Sequence, residues 1–124
     1  MKLFLLLGSL LGFLGVALGA FGAHILKTRL SPEMFTIFQT GIKYHLFHAS
    51  ILLIVGLLAK IMGTSDWLQW SGWLFFAGII IFSGSLYILS ILGLTFLGAI
   101  TPIGGMAFLL GWIFLFVHVL TSKQ

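Results

Sequence analysis

Apolar residues run almost without interruption from Leu3 to Ala23, from Tyr44 to Met62, from Trp67 to Leu92 and from Pro102 to Leu120, and polar residues gather between these runs. A helix of about 20 apolar residues crosses a hydrocarbon core of roughly 30 Å. The pattern therefore predicts four transmembrane helices, over residues 3–24, 44–62, 67–92 and 102–121. The first run exceeds the roughly 7–15 apolar residues of a secretory signal. It is expected to be an uncleaved first span, despite Lys2 before it and the small residues near Ala20 and Gly22.

The connections carry helix punctuation. After Lys27 and Arg29, Ser31 can cap a helix, Pro32 suits its first position and Glu33 complements its dipole. From there Met34, Phe35, Ile37, Phe38 and Ile42 form an apolar stripe, with Thr36, Gln39, Thr40 and Lys43 largely opposite. This is the pattern of a short interfacial amphipathic helix over residues 31–43. Two arrangements stay open, one in which it continues into the second span and one in which it bends at Gly41. Lys43 and Lys60 are expected to snorkel at opposite ends of that span. Gly63-Thr64-Ser65-Asp66 is turn-like, with Ser65 or Asp66 as the next cap, and Trp67, Trp70 and Trp73 mark a membrane interface. Thr101-Pro102 again reads as a cap followed by proline. The expected fold is all-α: an integral membrane four-helix bundle with one short interfacial helix between the first and second spans, forming a single domain over residues 1–124.

Composition sharpens this. The 124 residues are 60% hydrophobic and 6% charged, against about 25% charged in soluble domains, and residues 67–122 hold no formal charge. The net charge of +4 comes from basic residues scattered singly, which favours lipid headgroups over nucleic acid. Lys2, Lys60 and Lys123 fall on one membrane side and Lys27, Arg29 and Lys43 on the other, so charge does not orient the chain. The signal-anchor character of the first span favours cytoplasmic termini. Cysteine is absent, which excludes disulfides and thiolate sites. Glu33 and Asp66 both lie in connections, leaving no embedded carboxylate for proton-coupled exchange. No Gly-x-Ser-x-Gly elbow is present, and no carboxylate is placed to orient a histidine, so the chain reads as non-enzymatic.

Gly8, Gly12, Gly15, Gly19 and Gly22 recur at spacings of four, three, four and three, the period of a packing seam. In lipid such small residues let helices approach closely, within one bundle or across a dimer. Gly72, Gly78 and Gly84 extend the pattern to the third span, and Gly104, Gly105 and Gly111 to the fourth. Antiparallel spans would gather His24, Tyr44, His45, His48, Tyr87 and Thr101 near one membrane side. Tyr44 and His48, and His45 and His48, share a helix face. Three readings follow: interfacial rings bonded locally, a lipid or small-molecule site, or a metal or haem site. A metal would use His24, His45 and His48, whose spacing matches no zinc signature, and haem would need facing histidines. No cofactor is identified. His118, near the far end of the fourth span, reads as an interfacial or singly bonded histidine.

Four segments in order, Gly19-Ala-Phe-Gly-Ala-His24, Gly41-x-x-Tyr44-His-x-x-His48, Phe82-Ser-Gly-Ser-x-Tyr87 and Thr101-Pro-Ile-Gly-Gly105, resemble the domain-of-unknown-function 423 family. The resemblance covers nearly the whole chain. It implies a small four-span bacterial inner-membrane protein and no established activity, and it singles out His24, Tyr44, His48, Tyr87 and Pro102. The reading is a multi-pass cell-membrane protein that acts through lipids, a second copy or another membrane protein at the polar cluster. The alternative is a metal-, haem- or small-molecule-binding bundle built on the histidines.

Overall fold

A computed structural model describes residues 2–123. Four helices are long and apolar enough to cross a membrane: α1 (Lys2–Leu26), α2 (Pro32–Met62), α3 (Asp66–Leu92) and, after a 3-10 turn over Thr95–Ala99, α4 (Thr101–Thr121). Large apolar side chains face outward around the bundle, with Phe13, Phe21, Phe47, Phe96, Phe116 and Leu120 all more than half exposed. Water would not tolerate such a surface, whereas acyl chains solvate it.

Helix starts follow local chemistry. Ser31 is extended (φ −62°, ψ 157°) and its Oγ accepts from the Met34 N–H, with Pro32 following. Ser65 does the same for α3, accepting from Leu68, so Ser65 and not Asp66 is the cap. Gly93, at φ 71°, closes α3 by donating its N–H to the Leu89 carbonyl, a left-handed position that glycine takes without steric cost.

The structure decides one point that the sequence left open and overturns one expectation. Residues 31–43 are not a separate helix: they are the opening turns of one uninterrupted 31-residue α2. Gly41 does not bend the chain, because its missing side chain serves a close contact. A Cβ there would meet the Tyr87 ring at 2.7 Å. Thr101 is also not a cap. The 3-10 turn runs straight into α4, Ile100 already has helical dihedrals, and the Thr101 hydroxyl instead donates back to the Leu97 carbonyl. Pro102 fits this start because it has no N–H to satisfy.

The order of packing is α1 on α2, α2 on α3 and α3 on α4, every neighbour antiparallel. α2 and α3 are accordingly the more buried pair. Hydrophobic burial does not drive helices together in lipid, so dispersion at close backbone approach takes its place. Gly8 lies against Leu53 and the Ala49 carbonyl, Gly15 against Leu46 and His45, Gly19 against Ile42 and Gly22 against Phe38, all on α2. Gly12 departs from this series, with no atom within 4 Å of the position its Cβ would take. On the other helices glycine receives aromatic rings: Gly72 takes Phe4, Gly78 takes Phe108 and Gly111 takes Phe75. Phe4, Phe75, Leu52 and Val55 are fully buried at the centre of this packing.

α1 and α3 each contain a π-helical turn, at Leu18–Gly22 and Ile79–Ser83, which the sequence pattern does not signal. Such turns offset the helix face by one residue and recur at functional positions.

A Cβ at Gly104 would overlap the Phe82 backbone, which cannot rotate aside. Gly104→Ala is expected to lower stability by about 1–3 kcal/mol, read as a drop in thermal midpoint in detergent. Gly12→Ala should not lower that midpoint.

Candidate functional site

The length of α2 decides where its histidines sit. His45 lies about 20 Å and His48 about 24 Å along the helix axis from Pro32, near the middle of a helix about 46 Å long. The cluster expected at one membrane side is divided into two sets, His45 with Tyr87, and His48 with Tyr44 and Pro102. His45 and His48 are buried at mid-helix, with 4% and 3% of their surface accessible. His24 is exposed near the end of α1, and Thr101 and Pro102 stand at the start of α4.

His45 reaches two other helices. Its Nε2 lies 2.8 Å from the Leu11 carbonyl of α1 and its Nδ1 2.8 Å from the Tyr87 hydroxyl of α3. A carbonyl only accepts, so Nε2 carries the proton, and in the neutral ring Tyr87 donates to Nδ1. Alongside, Ser83 donates to the Gly41 carbonyl at 2.7 Å, tying the π-helical turn of α3 to α2.

His48 turns to the other flank of α2. Its Nδ1–H donates to the Tyr44 carbonyl at 2.9 Å, and the Trp112 indole N–H of α4 donates to its Nε2 at 3.2 Å. Because an indole N–H only donates and a carbonyl only accepts, these two partners define a neutral imidazole with one tautomer. The ring stacks on Phe108, with centroids 3.8 Å apart and planes 10° apart, and also contacts Phe75.

Both imidazoles thus use both nitrogens inside the protein, and neither presents a free lone pair to a metal. Among the described residues, no group of three His, Cys, Asp or Glu side chains is placed to hold a metal ion, and His24 does not join the other two. Thr101 meets Ser85, with hydroxyl oxygens 2.6 Å apart, a link between α4 and α3 rather than to the histidines. His118 is buried at the opposite end of the bundle. Its Nδ1 is 2.7 Å from the Ser65 hydroxyl, and its Nε2 has no hydrogen-bond partner among the described residues.

Each network borders a groove. Between α1 and α3, a groove of about 430 Å³ is lined by Leu11, Leu14, Leu18, Ile79, Ile80 and Gly84, with His45 and Tyr87 in its wall. On the other flank, a groove of about 390 Å³ is lined by Tyr44, His48, Phe82, Pro102, Met106, Leu109 and Trp112. Tyr44 is 40% exposed, and its ring packs against Phe82 at 4.8 Å and stacks at longer range on His48 and Phe108. Its hydroxyl has no partner among the described residues. Sequence reasoning missed Trp112 and Phe108, and named Phe82 only as the first residue of a family segment. A signal existed for Trp112, since an indole N–H at mid-span seeks an acceptor, and His48 is one of few at that depth.

A polytopic, all-helical membrane protein with a bonded aromatic and imidazole centre is the class that this fold and site define. The chain belongs to the DUF423 family, described as proteins of unknown function, whose profile matches residues 18–105. It is similar to the UPF0382 membrane protein YwdK of Bacillus subtilis (strain 168), 46% identical over 78 residues that cover 58% of this chain and 63% of that protein. It is similar over more of its length to the UPF0382 membrane proteins SAUSA300_0565 and SAB0533 of Staphylococcus aureus strains USA300 and bovine RF122 / ET3-1. These are 47% and 46% identical over 117 residues, 94% of each chain. No solved structure matches the chain.

Two measurements check the networks. Imidazole 15N NMR should find His48 neutral with its proton on Nδ1 and His45 with its proton on Nε2. A double-mutant cycle of His45→Leu with Tyr87→Phe should return a coupling of about 0.6–1.7 kcal/mol in detergent unfolding, the range of hydrogen bonds between membrane helices.

Proposed function

We propose that the protein is a non-enzymatic component of the bacterial cell membrane that holds a lipid or similar amphiphile in the groove beside Tyr44 and His48. The observation that carries this reading is the Tyr44 hydroxyl. The ring is held by Phe82, Phe108 and His48, and the hydroxyl is left without a protein partner among the described residues, at the edge of a largely apolar groove. A preformed apolar groove with one oriented polar group suits a ligand with an apolar body and a polar end. Acyl chain would lie along Pro102, Met106 and Leu109, and an ester carbonyl or headgroup oxygen would accept from Tyr44.

The state of the imidazole at the groove also favours binding over chemistry. His48, the imidazole beside the groove, has its acceptor nitrogen occupied by Trp112. A base in that state has no lone pair to take a proton from a bound molecule.

The test is to purify the protein in mild detergent and measure co-purifying lipid, metal and visible absorbance together. Met106→Trp, which fills the groove from an exposed lipid-facing position, should reduce bound lipid several-fold without lowering the thermal midpoint. Tyr44→Phe should weaken retention by roughly threefold, the value of a hydrogen bond of about 0.6 kcal/mol. Stoichiometric metal or a Soret band would overturn the reading in favour of a cofactor bundle.

A further inference from the structure

At the end of the bundle away from Tyr44, α3 begins and α4 finishes beside a second cleft, of about 420 Å³, lined by Asp66, Trp67, Trp70 and Phe114. Trp67 and Trp70 are one helical turn apart and both substantially exposed, and Phe114 of α4 meets Trp67 edge-on, with centroids 5.2 Å apart and planes at 83°. Tryptophans at the end of a span commonly mark the headgroup level. Here they converge with a third ring and a carboxylate around one concavity, which an aromatic belt alone does not require.

The carboxylate has no ion-pair or hydrogen-bond partner among the described residues. Ser65 performs the capping of α3, and Ser65 is itself held by His118, so Asp66 is not consumed in starting the helix. Lys2, Lys60 and Lys123 belong to the same end of the bundle, yet no basic side chain pairs with Asp66 among the described residues. A cation is attracted both to aromatic faces and to a carboxylate, and an anionic group is repelled by the second.

From this geometry we infer that the cleft binds the ammonium group of a phospholipid headgroup, of the phosphatidylethanolamine type, with Trp67, Trp70 and Phe114 as the aromatic wall and Asp66 as the counter-charge. The position at a helix end puts the cleft where headgroups lie, and the apolar lining admits the glycerol end of the lipid. This site shares no lining residue with the groove beside Tyr44 and does not depend on it.

Native mass spectrometry of the intact protein, titrated with phosphatidylethanolamine and phosphatidylglycerol of identical acyl chains, tests it. The parent should retain the ethanolamine lipid about tenfold better. Asp66→Asn, which keeps the side-chain shape and the Ser65 cap, should abolish that preference, and Trp70→Leu should do the same. Trp73→Leu, which alters a tryptophan packed on Phe4 outside the cleft, should keep it. Equal retention of the two lipids by the parent, or a preference that survives Asp66→Asn, would overturn the assignment.

Discussion

Close approach of helix backbones at glycine is the constraint on which the polar interior depends. A membrane helix satisfies its own N–H and C=O groups, so a polar side chain buried in lipid must find a partner on another helix or share a carbonyl already in use. His45 does the latter at Leu11, using the second lone pair of that oxygen. It reaches that far because Gly15 leaves room: a Cβ there would stand 3.1 Å from the His45 ring and 2.6 Å from Leu46. The same logic joins Ser83 to the Gly41 carbonyl, since Gly41 also admits the Tyr87 ring. Dispersion and hydrogen bonding are thus two results of one geometry.

Where the glycine receives a ring instead, the contact is a knob in a socket. Phe4, Phe75 and Phe108 each fill the space above a glycine on a facing helix, and Phe108 also stacks on His48. That stack fixes the ring, and the Tyr44 carbonyl and Trp112 indole hold His48 in a single tautomer at the centre of the bundle. With both nitrogens engaged, the buried imidazole joins α2 to α4. The groups left without a partner among the described residues, the Tyr44 hydroxyl and the Asp66 carboxylate, lie at the edges of the bundle.

The two π-helical turns belong to the same picture. Leu18 and Ile79, which open them, both line the groove between α1 and α3, where Gly84, like Gly12, has nothing within 4 Å of its Cβ position. The two turns and the open space beside His45 and Tyr87 thus fall in the same place. The glycine repeat of α1 therefore has two roles, with Gly8, Gly15, Gly19 and Gly22 against α2 and Gly12 beside open space.

Much was legible in the residues by themselves. Four apolar segments, the Ser31 and Ser65 caps and the glycine period are local, because they follow from hydropathy, hydroxyl capping and the pitch of a helix; the shared face expected of His45 and His48 did not hold, since the two rings turn to different flanks of α2. What only the tertiary structure decided was depth and partnership. The polar residues at the start of α2 left open whether a surface helix bends into the second span or runs on into it; Ser31 nucleates one helix that nothing interrupts before Gly63, and that continuity carries both histidines to its middle. Thr101 looked like a cap until the preceding 3-10 turn removed the need for one. Whether an imidazole is a ligand or a structural key depends on what meets its two nitrogens. Those partners, Leu11, Tyr87 and Trp112, lie 34, 42 and 64 residues away in the chain, beyond the reach of any local pattern.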